Sequence, residues 1–435
     1  MAALDASIYE EITVESFDGT KSIDLRLGVI SVDYYEDVFS QTITAKIVVS
    51  STGYSTVGDK LQGLYSGLPF RGGERVSIKI LGNSESNKGL DFSTKDDYLY
   101  VSSITNVITE AQREAFTLHL VSREALNNEV SRVYESYSSG TRIDTAVEKI
   151  IKDKLDTKKP VEIDPVSNKY GFIGNMKKPF TLLTWLASKG VPETTDGTAG
   201  YFFYETQDGY CFKSVDSLIA QESSGVYTSV ETVDRDRNQD FQILNHVTTR
   251  NNNLLEKLRL GQFSTQRSYF NPLTFDYTAP DKGLFKLEDY AGKSKNLGRS
   301  FGMPPINEGS ETTLGDIPSR LVTGIVDIGT LEDGVSYEEN ADPFKYQSQA
   351  IMRYNIMFTQ TMTITVPSNT NLRAGNIIQC LFPATTTASD NIKFDGEISG
   401  LYMIKELCHH FDAEGSYTSL KLIRDTFGQY GKNNK

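Results

Sequence analysis

The residues best equipped for chemistry stand together at Cys408-His409-His410, where a thiol and two imidazoles offer metal ligands. Their adjacency works against a shared ion. Neighbouring side chains on a strand point to opposite faces, so Cys408 and His410 could share one face and His409 could not. His119 and His246 are the other histidines of the chain. Asp234-Arg-Asp-Arg-Asn238 sets oxygen ligands at the alternate positions of a calcium loop. However, Gln239 stands where such a loop turns on glycine, and Asn245 stands where it needs a bidentate Glu. Gly292-Lys293-Ser294 ends like a phosphate loop, but Leu287 occupies the place of the first glycine and blocks the backbone curl. Gly-x-Ser-x-Gly is absent, and no carboxylate pair is set in an apolar stretch that would raise a pKa. Trp185 keeps helical spacing with Leu182 and Leu186 and reads as core. These residues assign no catalytic, metal or cofactor-binding site: the chain reads as a non-enzyme with no cofactor.

The elements that carry these side chains are mainly strands, and one of them occurs twice. Phe39-Ser-Gln-Thr-Ile-Thr-Ala-Lys-Ile-Val-Val49 is echoed by Phe358-Thr-Gln-Thr-Met-Thr-Ile-Thr-Val366. Ile43, Ala45, Ile47 and Val49 fall on one face, as do Met362, Ile364 and Val366. Thr42, Thr44 and Lys46 take the other face, as do Thr361, Thr363 and Thr365. Period-2 alternation of this kind makes a strand with one face on a core and one facing water or a partner. Thr42, Thr44, Thr361 and Thr363 are therefore candidates for a subunit interface or a bore lining.

If whole domains are repeated, other strands should keep a fixed offset. Gly73 pairs with Gly375, Val76 with Ile378, Leu99-Tyr100 with Leu401-Tyr402, and Leu118–Val121 with Leu420–Ile423, all 302 apart. Phe39 and Phe358 are 319 apart, which leaves 17 extra residues for the Gly/Ser-rich loop Ser50–Gly67. An insertion in such a loop costs little.

Composition narrows the function classes. A chain of 435 residues is too long for one ordinary core, and 38% hydrophobic residues describe a folded protein. With 57 acidic against 44 basic side chains, the net charge of -13 leaves no basic cluster for sequence-specific nucleic-acid binding. No apolar run reaches the roughly 20 residues of a membrane-spanning helix. The opening Met-Ala-Ala-Leu-Asp-Ala-Ser has neither the basic region nor the apolar core of a secretory signal. Three cysteines, Cys211, Cys380 and Cys408, read as reduced thiols of a protein made in a cytoplasm.

The resulting fold class is α+β and β-rich: two similar antiparallel β-barrels, an α+β domain between them, and an insertion in the second barrel. Residues 1–121 form the first barrel. Residues 122–225 form the α+β unit, with a capping-box-like Thr141-Arg-Ile-Asp144 before a helix, a second helix opened by Pro179, and a hairpin turning at Asp208-Gly209. The second barrel takes 226–262, with strands expected at Phe241–Leu244 and Leu258–Gly261, and 346–428. Residues 263–345 form an aromatic, irregular insertion, and 429–435 a solvated tail.

Three groups of residues carry a family resemblance: Pro179-Phe-Thr-Leu-Leu-Thr-Trp-Leu-Ala187 followed by Gly200–Glu205 and Asp208–Phe212; Thr249–Leu254 leading into Leu258–Gly261; and the duplicated strands. In this order the chain resembles the central baseplate hub subunit of T-even-like contractile phage tails and the opening part of type VI secretion spike proteins. The resemblance covers about 1–428 and rests on the order of elements more than on any one motif. It implies a homotrimer whose six barrels form a ring, with a hexameric tail tube on one face, a trimeric central spike on the other, and other baseplate components around it. It also implies a place in the virion tail, DNA passing through the bore, and no membrane insertion by the chain itself. No repetitive β-helical tail follows the second barrel, so the spike tip would be a separate chain. Two other readings use the aromatic insertion differently, as the cleft of a cell-wall glycan hydrolase or as a host-receptor-binding module.

Overall fold

The computed structural model describes residues 3–428 except 53–54, 58–59, 69, 111–112, 195–196, 230–238, 250–252, 273–274, 278–282, 290–295, 299–301, 326–342 and 385–393. The segments Asp234–Asn238 and Gly292–Ser294 and the tail 429–435 lie outside the described residues.

The first barrel uses β1 (Ile8–Glu15), β2 (Ser22–Asp24), β3 (Val29–Asp37), β4 (Thr44–Ser51), β5 (Arg75–Leu81), β6 (Leu99–Glu110) and β7 (Arg113–Val121). Pairing runs β3–β4–β7–β6–β5–β1–β2. The chain then turns from β2 back into β3, with Val29 N donating to Leu25 O at 3.1 Å. Alternation does the sorting: Ile43, Ala45, Ile47 and Val49 are buried, facing Phe116, Leu118 and Leu120 of β7. Fully burying each such side chain is worth about 1.5–3 kcal/mol.

The α+β unit follows, with α1 (Ile143–Ile150), β8 (Val161–Ile163), α2 (Pro179–Ala187), β9 (Tyr201–Thr206) and β10 (Gly209–Ser214). Helix α1 buries Ile143, Ala146, Val147 and Ile150. Its N-cap is Arg142 with no side-chain cap, so Thr141 does not form the capping box its spacing suggests. Asp144 instead accepts from Thr145 N at 2.7 Å and Val166 N at 3.0 Å, tying the helix start to the next loop. Pro179 opens α2 as expected, and Trp185 packs edge-on against Tyr170 and Phe172.

The second barrel comprises β11 (Ser223–Ser229), β12 (Gln242–Ile243), β13 (Asn245–Thr249), then β17 (Gln360–Pro367), β18 (Ile377–Leu381), β19 (Gly400–Asp412) and β20 (Ser416–Arg424). Its path is β13–β17–β20–β19–β18–β11–β12. One residue, Leu244, separates β12 from β13, so this path also returns on itself.

Two expectations inside this half are corrected. Leu258–Gly261 is not a strand but the end of helix α3 (Leu254–Leu260). Asn253 caps it by accepting from Glu256 N at 3.1 Å, and Gly261 ends it at φ +72°. Strands do not resume at 346 either. The insertion is a small sheet centred on β14 (Ser264–Asn271), with β15 (Leu284–Lys286) antiparallel and β16 (Arg320–Ile325) parallel to it. Helix α4 (Pro343–Ile356) packs Met352 and Ile356 on Phe285 of that sheet before β17 begins.

The strands show where the duplication keeps register and where it slips. Val121 opposes Tyr100 and Thr44, while Ile423 opposes Met403 and Thr361. Val121 and Ile423 keep the offset of 302, as do Gly73 and Gly375, at φ +87° and +88°. Thr44 matches Thr361, an offset of 317 and not 319. A slip of two residues preserves the faces. Leu99 matches Tyr402, an offset of 303, and both are fully buried while Leu401 is only partly so. Both copies carry a β-bulge one residue after the matched Val101 and Ile404, at Ser102 and at Lys405.

Candidate assembly surface

The two barrels are joined edge to edge. The first residues of β19, Gly400–Met403, pair with β18 inside their own barrel. Past the bulge, Glu406–Phe411 stay paired with β20 on one side, and on the other Glu406–Asp412 exchange β18 for Asp37–Ser31 of β3, paired antiparallel. Within the larger sheet a continuous run of eight strands results, in the order β13–β17–β20–β19–β3–β4–β7–β6, with the two barrel interiors against one face.

Adjacent histidines on β19 serve opposite faces of the seam. His409 is fully buried, stacked on Tyr34 at 6.0 Å and sharing a hydrogen bond with Thr418 Oγ1 at 2.9 Å. Burial pushes its pKa down to about 3, so the ring is neutral. His410 faces outward, bonded to Asp33 of β3 through Nδ1 and to Asp412 through Nε2 at 3.0 Å, with Tyr417 stacked at 4.5 Å. The Asp33 hydrogen bond raises its pKa against the opposing effect of burial, which favours an imidazolium clamped between two carboxylates. Cys408 shares the outer face with His410, and burial pushes its thiol up to about 12. Among the described residues no group of His, Cys, Asp or Glu is placed to hold a metal ion.

Two buried carboxylates fasten the α+β unit to this sheet. Period 2 puts Glu36 on the core side of β3 with Val32 and Tyr34, where it is 1% exposed. It accepts from Tyr34 Oη at 2.9 Å, Gln207 N at 2.7 Å and Ala374 N at 2.8 Å, so one side chain links the first barrel, the α+β unit and the second barrel. Burial raises its pKa, and Arg373 opposes the rise. Glu205 accepts from Lys159 Nζ at 2.6 Å and from Ile43 N at 3.1 Å. Phe39 and Phe358, the heads of the repeated motif, meet at 5.6 Å, with Phe202 of the α+β unit 5.0 Å from Phe39. The α+β unit and the end of α4 thus sit at the end of the sheet where β4 and β17 begin. Sequence reasoning missed Glu36 and Glu205; an acid in phase with apolar residues on one strand was the available signal.

The centre of the sheet's outer face is polar. Thr44 lies between Tyr35 of β3 and Val121 of β7, and Thr361 and Thr363 oppose Ile423 and Lys421 of β20. Thr42 precedes β4 and shares a hydrogen bond with Ser122 Oγ at 2.9 Å. Charges at the centre of this face balance. Asp33, Asp37, Glu406 and Asp412 are set against Lys46, Lys405, Lys421 and His410, with Lys405 2.7 Å from Asp37 and Lys421 2.8 Å from Glu406. The acidic excess of the chain is carried elsewhere.

This architecture has solved counterparts. A tail protein from Neisseria meningitidis MC58 superposes with a TM-score of 0.55 at 11% identity, covering 95% of this chain and 96% of that one. The chain shares the fold of this tail protein. The 43 kDa tail protein of prophage MuSo2 from Shewanella oneidensis shares it at TM-score 0.51 and 8% identity, over 96% of this chain and 98% of that one. A looser likeness, TM-score 0.44 at 8% identity over 96% of this chain and 77% of that one, is to an Escherichia coli component of the type VI secretion system. No family model matches the sequence, and a search of curated proteins finds no match. The tail-protein fold therefore stands on architecture: two barrels on one sheet, with added domains at one end of the strands. No helix among the described residues is long and apolar enough to cross a membrane.

Proposed function

We propose that this chain is a structural hub subunit of a contractile tail, acting through assembly and not catalysis. The observation that carries the reading is the duplication within one chain: two barrels of matching strand order, side by side on a shared sheet. Three such chains supply six near-equal barrels, a closed cyclic arrangement with a sixfold surface built from threefold symmetry.

The two ends of the sheet suit different partners. The end away from the α+β unit, where both barrels repeat, fits a hexameric tail tube. At the other, Val38, Met357, Met403 and Ile423 join Phe202 and Tyr204 in one apolar cluster, so the α+β unit there repeats once per chain and fits a trimeric spike. In this reading the ring lies in the virion baseplate, assembled in the host cytoplasm, and DNA leaves through its bore during entry. Its barrels are β1–β7 and β11–β13 with β17–β20, the α+β unit lies between them, and α3, the β14–β16 sheet and α4 make up the insertion. The Thr44, Thr361 and Thr363 face lines the bore, its balanced charge holding no polyanion.

Light scattering over a concentration series tests the reading. Three chains of 48.5 kDa give a particle of about 146 kDa. A single-chain mass at every concentration, with or without an added spike, would count against it.

A further inference from the structure

The duplicated strands are not equally satisfied. Within the chain, β19 and β3 complete each other's edges. Their counterparts, β6 and β13, do not. Strand β6 pairs with β7 along one side, and on the other with β5 only at Leu99 and Tyr100. Strand β13 pairs with β17 alone. Among the described residues no strand faces β6 beyond Tyr100 or the second edge of β13. Each bare edge carries exposed apolar side chains among polar ones: Val107 is 41%, Ile108 57% and Val247 62% exposed. A long, uncovered edge strand without proline is a template for another strand.

We infer that β6 of one copy pairs antiparallel with β13 of a second copy of this chain, in the register of the seam between β19 and β3. The inference rests on the ring reading and supplies its contact. The register follows from shared neighbours. Tyr35 and Asp33 oppose Thr44 and Lys46, while Thr249 and Val247 oppose Thr361 and Thr363, so Val247 holds the place of Asp33. On the facing strand Cys408 opposes Ser419 and Thr105 opposes Thr117, so these two match. Strand β6 then carries one extra residue, at Asn106–Val107 with Asn106 at φ +54°, before Ile108 opposes Ala115 as His410 opposes Tyr417. Ile108 therefore meets Val247 where His410 meets Asp33, and Glu110 meets Asn245 where Asp412 meets Ser31. The ionic clasp of the closed seam becomes an apolar clasp between chains. The bulge adds local twist at the point where a separate subunit must be reached.

The test is a full-length chain carrying Ile108→Cys and Val247→Cys, oxidised and run on non-reducing gels beside each single variant, with the native mass of the same sample measured. Directly opposed residues of an antiparallel pair stand about 4.5–5.5 Å apart between Cα atoms, within disulfide reach. Covalent dimers and trimers in the double variant only, from a trimeric sample, are the expected result. A trimer without cross-links would overturn the pairing and leave the ring reading standing, whereas a monomer without cross-links would remove both. A second pair of variants guards against a folding defect. Ile108→Lys alone should weaken assembly at least about tenfold, and adding Val247→Asp should restore it. Equal weakening in the double variant would contradict the contact.

Discussion

The closed seam between β19 and β3 and the open edges of β6 and β13 are two versions of one construction, and their difference is chemical. Where the chain meets itself, His410 is held by Asp33 and Asp412, and the buried His409 stacks on Tyr34. Where it is bare, Ile108 and Val247 stand exposed. A contact formed once during folding can hold an ionic pair, because its partners are tethered. A contact between separate chains must offset the loss of their translational freedom, and removing apolar area from water does so without a competing cost of ion desolvation.

The largest expected effect comes from cutting a core residue beside each seam. Leu407 is fully buried under the closed seam, and its counterpart Ile104 is only partly buried beside the open edge. Leu407→Ala should cost about 3 kcal/mol in urea unfolding, and Ile104→Ala about 1 kcal/mol in the monomer. The gap between them should narrow in the assembled particle, where the neighbouring edge covers Ile104.

Next come the matched glycines. Gly73 and Gly375 share a left-handed backbone, yet a Cβ on Gly375 would lie 2.7 Å from Tyr204 Oη, while on Gly73 the nearest atom is 4.0 Å away. Gly73→Ala should cost about 1 kcal/mol, from the backbone alone, and Gly375→Ala about 2–3 kcal/mol. Thermal unfolding of the two variants would separate them. Equal losses would mean that Tyr204 yields freely.

The ionic clasp predicts a pH dependence that the apolar clasp lacks. The folded pKa of His410 is raised, so its contribution is fully present below the unfolded value near 6.5 and is lost as pH rises through the folded value. Wild type should therefore exceed His410→Gln in stability by about 1 kcal/mol at pH 5.5 and by less as pH climbs. Cross-linking yield through positions 108 and 247 should show no such dependence beyond that of thiol oxidation. The smallest effect is expected at the threonine face: Thr44→Val and Thr363→Val should each change stability by less than about 0.5 kcal/mol.

Much of this comparison was legible in the sequence. Alternation located β4 and β17, and the glycines at a constant offset marked the start of β5 and β18 in both copies. Register was less legible, because a run such as Leu-Tyr fits a strand in either phase; only the facing strand shows that Tyr402, and not Leu401, replaces Leu99. Helix α4 was missed because its buried positions include Ser348, Gln349 and Arg353, which blur the apolar stripe. Leu-Arg-Leu-Gly appears twice, as a turn at Leu25–Gly28 and as a helix end at Leu258–Gly261. The asparagine cap at Asn253 decides the second case, and a four-residue match says nothing of it. The open edges had no sequence signal of their own. They become visible only once the other copy is seen to be paired.

If the open edges repeat the closed seam between chains, a density map of the assembled particle should show a ring of six barrels. Two kinds of seam should alternate in it, His410 on Asp33 within chains and Ile108 on Val247 between them. A particle in which β6 and β13 remain bare, with chains joined through other surfaces, would contradict the repeat.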